Sequence, residues 1–387
     1  MNIVFLTHPS FLNSQSMPRF ASMLADGMRA RRHQVEEWTA EAVCYNKSFP
    51  ASLRKWLGYI DQYIIFPFNV KKKIKRSSSD TLFVFTDQAL GPWVPLLANR
   101  PHIIHCHDFL AQRSALGEFE ENKTGASGQK YQAYIRKGYQ KGKNFISVSK
   151  NTQQDLHRFL PQAPKLSEVV YNGLNQSFEI TNSFEAKDYI SKDISVDLAE
   201  GYLLHVGGNQ WYKNRKGVID IYNAWRDSFN QKLKLLMIGA PPNELLKQAQ
   251  QSSIYANDIH FLTGKDDDFV RKAYAGATLF LFPSLAEGFG WPIAEAMVSG
   301  CPVVTTNAAP MTEVGGDAAF YINRKPFQSN KDWASDAALV VNQVLKTSLE
   351  ERERIVKAGI ANAGRFDTKK SLDQIENLYK HVLKGSE

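Results

Sequence analysis

The sequence predicts an α/β protein of two Rossmann-like domains, each built on a parallel β-sheet with helices on both faces. Short apolar runs typical of buried strands alternate with helix-length segments, and such alternation predicts parallel sheets. It occurs twice along the 387 residues. The strand-like runs are NIVFLTH, TLFVFT, HIIHCHDF, NFISVS and SEVVYNG, then GYLLHVGG, LKLLMIGA, DIHFLTG, ATLFLFPS, CPVVTT and AAFYI. Ligands of open parallel sheets bind outside the carboxyl ends of the strands, so the interdomain cleft is the expected site.

The domain boundaries rest on residues 177–200, a polar segment with little periodic pattern that we interpret as a linker. It separates an N-terminal domain, residues 1–176, from a C-terminal domain, residues 201–365. Residues 366–387 hold a helix with one apolar stripe, which we expect to pack on a core, with the N-terminal domain as a candidate surface. Residues 17–39 have apolar positions at helical spacing and are assigned to a helix.

Composition points to a globular chain, 43% hydrophobic and 22% charged. The N-terminus lacks the pattern of a secretory signal, and no stretch reaches the roughly 18 apolar residues of a membrane span, so we expect a cytoplasmic protein. The cysteines Cys44, Cys106 and Cys301 are scattered without ligand spacing. This argues against a disulfide framework or a structural zinc site and predicts ordinary buried thiols.

Positive charge is concentrated in the first half of the chain. Residues 1–175 hold 23 Lys and Arg against 13 Asp and Glu, a net +10, which leaves −2 of the chain's +8 for the rest. A basic half suggests an anionic partner: a phosphate-bearing acceptor, a membrane surface or nucleic acid.

One basic segment, SLRKWLGYIDQYIIFPFNVKKKIKR, has aromatic residues followed by lysines. It could dock on an anionic membrane, with the protein peripheral to the inner face. Its apolar residues also form an ordinary amphipathic stripe, so we favour a packed helix with a solvated basic end. The stripe consists of Leu53, Trp56, Leu57, Ile60 and Ile64.

The stretch LFLFPSLAEGFGWPIAEAM predicts a buried strand, a turn and a helix that begins at Pro292. Gly288 and Gly290 permit positive φ and close approach of a ligand, and amides that lead into a helix N-terminus favour an anion such as a diphosphate. Glu287 then lies in the loop, near whatever follows the diphosphate. Glu295, one turn into the helix, can accept paired hydroxyl hydrogen bonds of the kind a ribose offers. The alternative is that Glu295 only balances the helix dipole and Glu287 is a solvated loop residue.

The stretch PSLAEGFGWPIAEAMVSGCPVVTTNAAPMTEVGGDAAFYI resembles the donor-binding segment of retaining glycosyltransferases of family 4, with their Glu-x7-Glu motif. HVGGNQWYKNRKGV resembles that family's phosphate-binding loop, and VSKNTQQDLHRFL with VVYNGLNQSF resembles the end of its N-terminal domain. The resemblance implies the GT-B fold, in which two Rossmann-like domains face an interdomain cleft. It is strongest over residues 145–320 and weakest before residue 100.

Carried over to this sequence, the resemblance implies that Glu295 binds the ribose of a nucleotide-sugar donor. Glu287 and the amides of Gly288, Phe289 and Gly290 would hold the sugar hydroxyls and the diphosphate. The loop after the first C-domain strand would contribute through Gly207 and Gly208, and the backbone near Leu262 would contact the base.

The phosphate-binding cation is ambiguous in the sequence. Lys213 matches the family's lysine by its distance from the strand and Lys216 by the glycine that follows, and we prefer Lys213. A cation at this point would stabilise the charge of a departing nucleoside diphosphate. The family has an arginine where this chain has Gly208. Arg215 could replace it, or Arg215 and Lys216 could simply be a solvated helix start.

In the N-terminal domain, HIIHCHDF ends a strand with His107 nearest the expected cleft. The resemblance implies that His107 contacts the donor sugar, whereas His105 is expected to be a core residue. THPSFLNSQSMPRF stands where the family has a glycine-rich loop. Its Ser10 and Asn13, together with Asp108, are the candidates for the acceptor side, although helix capping also explains such polar residues.

Asp266 and Asp268 superficially form the DxD metal site of other sugar transferases. Because they precede a helical segment, we interpret them as a helix start and predict no metal and no other cofactor.

These features together predict a retaining, metal-independent glycosyltransferase. It would move a hexose from a UDP or GDP sugar to a hydroxyl of a sugar, a glycolipid or another acceptor, in cell-envelope polysaccharide or glycolipid synthesis. One alternative is a non-hydrolysing nucleotide-sugar epimerase of the same fold, whose acid and base residues are not evident. The other is a non-enzymatic anion or nucleic-acid binder, but the chain has no nucleic-acid recognition signature, so we expect no nucleic-acid partner.

Overall fold

The computed structural model describes residues 1–12, 16–174, 178, 181–328 and 331–385. These residues form two compact units. Unit 1 contains Met1–Phe119, Lys123–Tyr171 and Lys369–Glu387, and unit 2 contains Glu120–Asn122 and Asn172–Thr368.

Unit 1 is built on a parallel six-stranded sheet in the order β2-β1-β3-β4-β5-β6. Its central strands are buried along their whole length, as expected when helices cover both faces. The strands are β1 Asn2–Leu6, β2 Gln34–Trp38, β3 Leu82–Phe85, β4 His102–Cys106, β5 Asn144–Ser147 and β6 Leu166–Val169. The helices are α1 Ser16–Ala30, α2 Ala51–Ile60, α3 Phe66–Ile74, α4 Leu110–Ala115, α5 Ala126–Tyr139 and α6 Lys150–Phe159.

Unit 2 repeats this plan with the parallel strand order β12-β11-β10-β7-β8-β9. Its strands are β7 Tyr202–Val206, β8 Lys234–Ile238, β9 Ile259–Leu262, β10 Leu279–Phe282, β11 Val303–Thr306 and β12 Phe320–Ile322. The helices are α7 Ser183–Ile194, α8 Arg215–Phe229, α9 Glu244–Gln251, α10 Asp267–Gly276, α11 Trp291–Val298, α12 Met311–Gly315, α13 Lys331–Leu345 and α14 Leu349–Ala363. The two-domain α/β prediction is confirmed, with one parallel sheet in each unit.

The last helix, α15 Thr368–Lys384, belongs to unit 1 from Lys369 onward. Its apolar stripe is buried there: Leu372, Ile375, Tyr379 and Val382. Gly27 of α1 lies close to this stripe, because a Cβ there would be 2.7 Å from Leu372 Cδ1. The Tyr379 hydroxyl is 2.8 Å from Nε2 of His105 on β4. His105 is thus a core residue, as expected.

Three segments differ from the sequence prediction. Residues 17–39 do not form one helix: α1 ends at Ala30, Arg32 has a φ of +63°, and Gln34–Trp38 is edge strand β2. The alternation of apolar and polar residues that marks a strand is weak here, because only Trp38 of β2 is buried.

The segment 177–200 is more than a linker, because it contains α7. Asn182 caps this helix through its side chain, and Ala186 and Ile190, four residues apart, are buried. α7 packs on α10, with the rings of Tyr189 and Phe269 6.4 Å apart. Its two-residue apolar face is too short to give a clear helical period.

The packed stripe predicted for residues 53–64 is wrong in part. α2 and α3 are joined through a π turn, Asp61–Ile65, and the other side of this continuous helix is buried. Phe66 and Val70 lie in the hydrophobic core of unit 1, and Gly58 lies beside Phe11 and Tyr45. Leu53, Trp56 and Ile64 are exposed, and Leu57 and Ile60 are half-buried.

Within the part of the chain that the structure describes, no helix combines the length and apolarity that crossing a bilayer demands. All three cysteines are free thiols. Cys106 and Cys301 are buried and Cys44 is half-buried.

Candidate functional site

The candidate site in unit 2 lies where β7 and β10, adjacent strands, reach their carboxyl ends. The loop after β7 and the loop after β10 are tied together, because the carbonyl oxygen of Tyr212 accepts from Leu285 N at 2.7 Å and from Ser284 Oγ at 2.8 Å. Asn214 Nδ2 also donates to Pro283 O at 2.9 Å. These bonds hold the residues after Tyr212 beside those after Ser284.

The two loops bring Lys213 and Glu287 together. Lys213 Nζ donates to Glu287 Oε1 at 2.8 Å, and the side chains are 15% and 7% exposed. Ser284 Oγ lies 2.6 Å from the same oxygen, so the single Ser284 hydroxyl proton is shared between Glu287 and the carbonyl of Tyr212. Lys216 points elsewhere: it is 43% exposed and pairs along its own helix with Asp220, at 2.7 Å. Of the two lysines that the sequence offered, the structure places only Lys213 beside Glu287.

Arg215 is a buried cation with unused donors. It is 4% exposed at the start of α8. Its Nη1 donates to Asn209 Oδ1 and, at 2.8 Å, to Ala240 O. Among the described residues, its Nε and Nη2 have no hydrogen-bond partner. Burial lowers the pKa of Arg215 to about 10, so the side chain is still charged at neutral pH. A solvated helix start therefore describes Lys216 but not Arg215.

His205, on β7, also belongs to the candidate site, although it was not predicted from the sequence. It is fully buried on β7, and its Nδ1 is 3.0 Å from Leu281 O. Its Nε2 has no hydrogen-bond partner among the described residues. Burial, with a smaller contribution from the charges of Arg215 and Lys213, lowers the pKa of His205 to about 3, so the ring is neutral. Its place at a strand end, two residues before Gly207, was the available signal.

The backbone after β7 passes close to its neighbours. A Cβ on Gly207 would lie 3.1 Å from His205 Nε2. A Cβ on Gly239, which follows β8 at a φ of +146°, would lie 2.0 Å from Gly207 O. Gly239 N in turn donates to Leu262 O, at the end of β9, at 3.1 Å. Gly208 is less constrained, because a Cβ there would meet only the flexible side chain of Gln210.

The glycine-broken loop leads into α11 as predicted, one residue earlier than expected. Gly290 has a φ of +100° directly before α11, so Pro292 is the second helical residue and not the first. Phe289, 4% exposed, packs edge-on against Phe366 with ring centroids 5.3 Å apart. Its side chain therefore anchors the loop in the core of unit 2, and Gly288 beside it is half-buried.

Glu295 has different surroundings from Glu287. It is half-buried on α11, and Oε2 accepts from the Tyr274 hydroxyl at 3.0 Å. Tyr274 is fully buried on α10, and burial, followed by the Glu295 charge, raises its pKa well above the usual value. Tyr274 thus stays protonated and orients the carboxylate. Tyr274 was not predicted as a site residue, because its position in the helix gives an ordinary core pattern.

Unit 1 presents a second group of polar residues at its strand ends. His8 follows β1, Asp87 follows β3 and His107 follows β4, three neighbours in the sheet. His8 Nε2 is 2.8 Å from Asp87 Oδ2, and Ala89 N donates to Oδ1 at 2.9 Å. His8 and Asp87 were missed, although three consecutive strand ends with acidic or imidazole side chains were visible in the sequence.

His107 is 6% exposed, with Nε2 2.9 Å from Thr86 O. Burial lowers the pKa of His107 against the opposing effect of Asp87. Burial would raise the pKa of Asp87, but its hydrogen bond to His8 and the nearby imidazoles hold it below its usual value. The group is therefore a buried carboxylate between two imidazoles.

The other N-terminal candidates are more peripheral. Asp108 Oδ1 accepts from Leu110 N at 3.0 Å, at the start of α4, and Ser10 lies exposed in a 3₁₀ turn, Ser10–Leu12. Asn13 lies outside the described residues.

The two aspartates that resemble a DxD site have helix-start contacts. Asp266 caps α10 by accepting from Phe269 N at 2.8 Å, and Asp268 pairs with Arg271 and Lys272 on the same helix. In the described part of the chain, no group of three or more His, Cys, Asp or Glu could hold a metal ion.

Known proteins resemble both units. The family model described as Glycosyltransferase Family 4 matches residues 17–178, and the model described as Glycosyl transferases group 1 matches residues 200–337. O-antigen chain mannosyltransferase B of Escherichia coli is 28% identical over 185 residues, which cover 47% of this chain and 46% of that protein. The chain spans about half the length of the first curated relatives that it matches.

Solved structures share the fold at low sequence identity. Sucrose-phosphate synthase from Thermosynechococcus elongatus has a TM-score of 0.73 at 14% identity, with 100% of both chains covered. HepE of Anabaena, solved in complex with UDP-glucose, has a TM-score of 0.71 at 17% identity, with 97% and 98% covered. The two family models cover most of the chain, the strand orders are those of two Rossmann-like sheets, and the chain belongs to the family 4 glycosyltransferases of the GT-B fold.

Proposed function

We propose that this protein transfers a hexose, with retention of configuration, from a nucleoside diphosphate sugar to an acceptor hydroxyl in the synthesis of a cell-envelope polysaccharide or glycolipid. The observation that carries the proposal is Arg215, a buried cation whose Nε and Nη2 have no partner among the described residues. A buried guanidinium is costly unless an anion pairs with it, and a diphosphate supplies oxygens in the geometry that a guanidinium prefers.

The residues around Arg215 fit the rest of such a donor. Lys213 would contact the departing diphosphate and stabilise its growing charge without reorganisation. In the donor complex, Glu287 would exchange part of its bond with Lys213 for sugar hydroxyls, and Ser284 would hold its carboxylate in place. Glu295, oriented by Tyr274, would accept from the two ribose hydroxyls, and the backbone near Leu262 would lie along the base.

In unit 1, His107 would contact the sugar, and Ser10, Asn13 and Asp108 remain our candidates for the acceptor. The retaining chemistry would proceed by displacement on one face of the sugar, with a diphosphate oxygen assisting removal of the acceptor proton. Glu287 would orient and stabilise the sugar and would not attack it. The chemistry needs no metal, because the cations of the chain neutralise the diphosphate.

The donor is proposed to be a UDP or GDP sugar. Mannose is the first sugar to test, because the E. coli relative is named a mannosyltransferase. The family match does not favour an epimerase or a non-enzymatic anion or nucleic-acid binder.

Thermal shifts with GDP-mannose, UDP-glucose and ADP-glucose would test the donor, because a ligand that binds only the native state raises Tm. We expect one of the first two to raise Tm, with an equal shift in EDTA. Acceptor-dependent release of nucleotide would then show transfer, and nuclear magnetic resonance of the product would show the anomeric configuration. No shift with any donor, loss of turnover in EDTA, or epimerised donor without transfer would each contradict part of the proposal.

A further inference from the structure

An exposed apolar row runs along α2, the π turn and α3 in unit 1. Its members are Leu53, Trp56, Ile64 and Phe68, which are 43%, 65%, 64% and 59% exposed. The helix is continuous, because the residues at both junctions with the π turn have right-handed helical φ and ψ. The wider π turn absorbs one residue more than an α turn, so the eight steps from Trp56 to Ile64 make about two turns. The four side chains therefore lie on one side of the helix.

The exposed charges of this helix are all positive. Residues 51–76 contain seven cations and one acid. The acid, Asp61, is 1% exposed, and its carboxylate accepts from Cys44 N and Tyr45 N, both at 2.8 Å. Within the described residues, none of the seven cations forms an ion pair: Arg54, Lys55, Lys71, Lys72, Lys73, Lys75 and Arg76. Lys72 Nζ lies 4.2 Å from the ring centroid of Phe68, so charge directly borders the apolar row.

Aromatic side chains with a polar end extend the same surface onto α5. The Trp56 and Tyr59 rings meet edge-on at 5.9 Å, and the Tyr63 hydroxyl is 2.7 Å from that of Tyr131. Tyr134 is 48% exposed beside Tyr63, with ring centroids 5.6 Å apart. Tryptophan and tyrosine are enriched at membrane–water boundaries because one end is apolar and the other is polar.

We propose that this α2–α3 surface, defined by the four apolar residues and the seven cations, docks on an anionic lipid bilayer. The apolar row would enter the boundary between headgroups and acyl chains, while the lysines beyond Phe68 bind lipid phosphates. A second copy of the chain is a poor occupant, because it would set the same cations against one another. The inference is independent of the proposed function, since it uses no residue of the candidate donor site.

Flotation of the full chain with vesicles tests the proposal. We expect the protein to float with vesicles that contain 30% phosphatidylglycerol in low salt, to be released as salt screens the charges, and to stay unbound with pure phosphatidylcholine. Failure to bind the anionic vesicles in low salt, equal binding to both vesicles, or stronger binding to an oligonucleotide of equal charge would overturn it.

Variants separate the apolar from the electrostatic contribution. The triple variant Lys71→Gln, Lys72→Gln, Lys75→Gln should weaken partition about 100-fold, because each cation near an anionic surface contributes about fivefold. Trp56→Ser with Phe68→Ser should abolish binding that survives moderate salt. The matched control, Ile254→Ser with Leu349→Ser, removes two residues of unit 2 that are 83% and 84% exposed and should bind as the wild type does. Equal losses in control and test variants would show a non-specific effect and refute the surface.

Tryptophan fluorescence gives a second measurement that needs no separation. Vesicle addition should shift the emission to shorter wavelength, and Trp56→Phe should remove most of that shift while the protein still floats. An undiminished shift in Trp56→Phe would place the contact elsewhere and contradict the proposal.

Discussion

Lys213 Nζ lies 2.8 Å from Glu287 Oε1, and the two side chains are only 15% and 7% exposed. Because the pair is largely removed from water, taking away either charge leaves the other uncompensated, and that costs more than the pair itself contributes. The two residues should therefore be coupled in stability as well as in catalysis.

The first prediction concerns this coupling. Lys213→Met should lower the free energy of unfolding by roughly 2–3 kcal/mol, and the double variant Lys213→Met, Glu287→Gln should recover most of the loss. Urea unfolding of both singles and the double gives the coupling energy. Lys216→Met, at an exposed pair, should stay within about 0.5 kcal/mol of the wild type. Additive effects of the first two substitutions would mean that the ion pair is not formed in solution.

In turnover, Glu287→Gln should lower kcat at least tenfold and leave the affinity for the free nucleoside diphosphate nearly unchanged, because its proposed partner is the sugar. A variant with full kcat would remove Glu287 from the reaction.

The second prediction separates stability from binding at Arg215. Arg215→Met removes a buried charge with two unpartnered nitrogens, so Tm in the absence of nucleotide should be equal to or higher than that of the wild type. The Kd for the nucleoside diphosphate should rise at least tenfold, because a charge-assisted hydrogen bond contributes about 1.5–3 kcal/mol. Calorimetric titration and thermal melting measure the two quantities, with Lys216→Met as the control for binding. Unchanged affinity would mean that Arg215 is structural.

A third prediction concerns the carboxylate that Tyr274 orients. Glu295→Gln should weaken the nucleoside diphosphate about tenfold, and the variant should no longer distinguish it from the 2′-deoxy analogue. Tyr274→Phe should give a smaller loss in the same direction, because the carboxylate remains but is less well oriented. Glu244→Gln, exposed on α9, is the control. If Glu295→Gln discriminates against the deoxy analogue as the wild type does, the ribose contact is wrong.

The fold could be predicted from the sequence because the buried central strands are short apolar runs bounded by polar residues or turn residues. TLFVFT and ATLFLFPS have this pattern, and both are central strands. The prediction failed at β2 and α7, where burial falls on one or two residues and the period is too weak to be recognised. It also assumed that an apolar stripe must be covered, which the exposed Trp56 contradicts.

For the site, sequence reasoning named residues in loops but not the side chains that hold them. The spacing of Glu287 and Glu295 was informative because a loop and a helix give them different environments. Ser284 and Tyr274 could not be found in this way, since a hydroxyl in a buried element has no periodic signature until tertiary structure brings it to a carboxylate. Lys213 could be separated from Lys216 only by the direction of each side chain.

The fourth prediction concerns the strand-end group of unit 1. Asp87→Asn removes the negative charge that lies beside His8 and opposes the lowering of the His107 pKa. The kcat should therefore fall tenfold or more, and its pH profile should change. The Kd for the nucleoside diphosphate should not change, because the proposed phosphate contacts are all in unit 2. Asp26→Asn, at a side chain 72% exposed, is the control. A parallel loss of nucleotide affinity would indicate a general structural defect.

The last prediction concerns acid stability. The native pKa of His105 and of His205 is lowered to about 3 from 6.5, chiefly by burial. Between these two pH values the unfolded chain binds a proton at each histidine that the native state does not. The free energy of unfolding must therefore fall as pH drops below about 6.5, by up to about 1.4 kcal/mol per pH unit for each proton.

His105→Gln tests this assignment, because glutamine can still hydrogen-bond to Tyr379 but does not titrate. Because the substitution also changes the packing around Tyr379, and therefore the overall stability, the quantity to compare is the slope of the unfolding free energy between pH 5 and 6.5. Urea titrations across this range should show a dependence shallower than that of the wild type by about one proton. Gln154→Ala, at an exposed residue of α6 that does not titrate, is the control and should keep the wild-type slope. An identical slope in His105→Gln and wild type would mean that His105 binds a proton in the native state over this pH range. The lowered pKa of His105 would then be wrong.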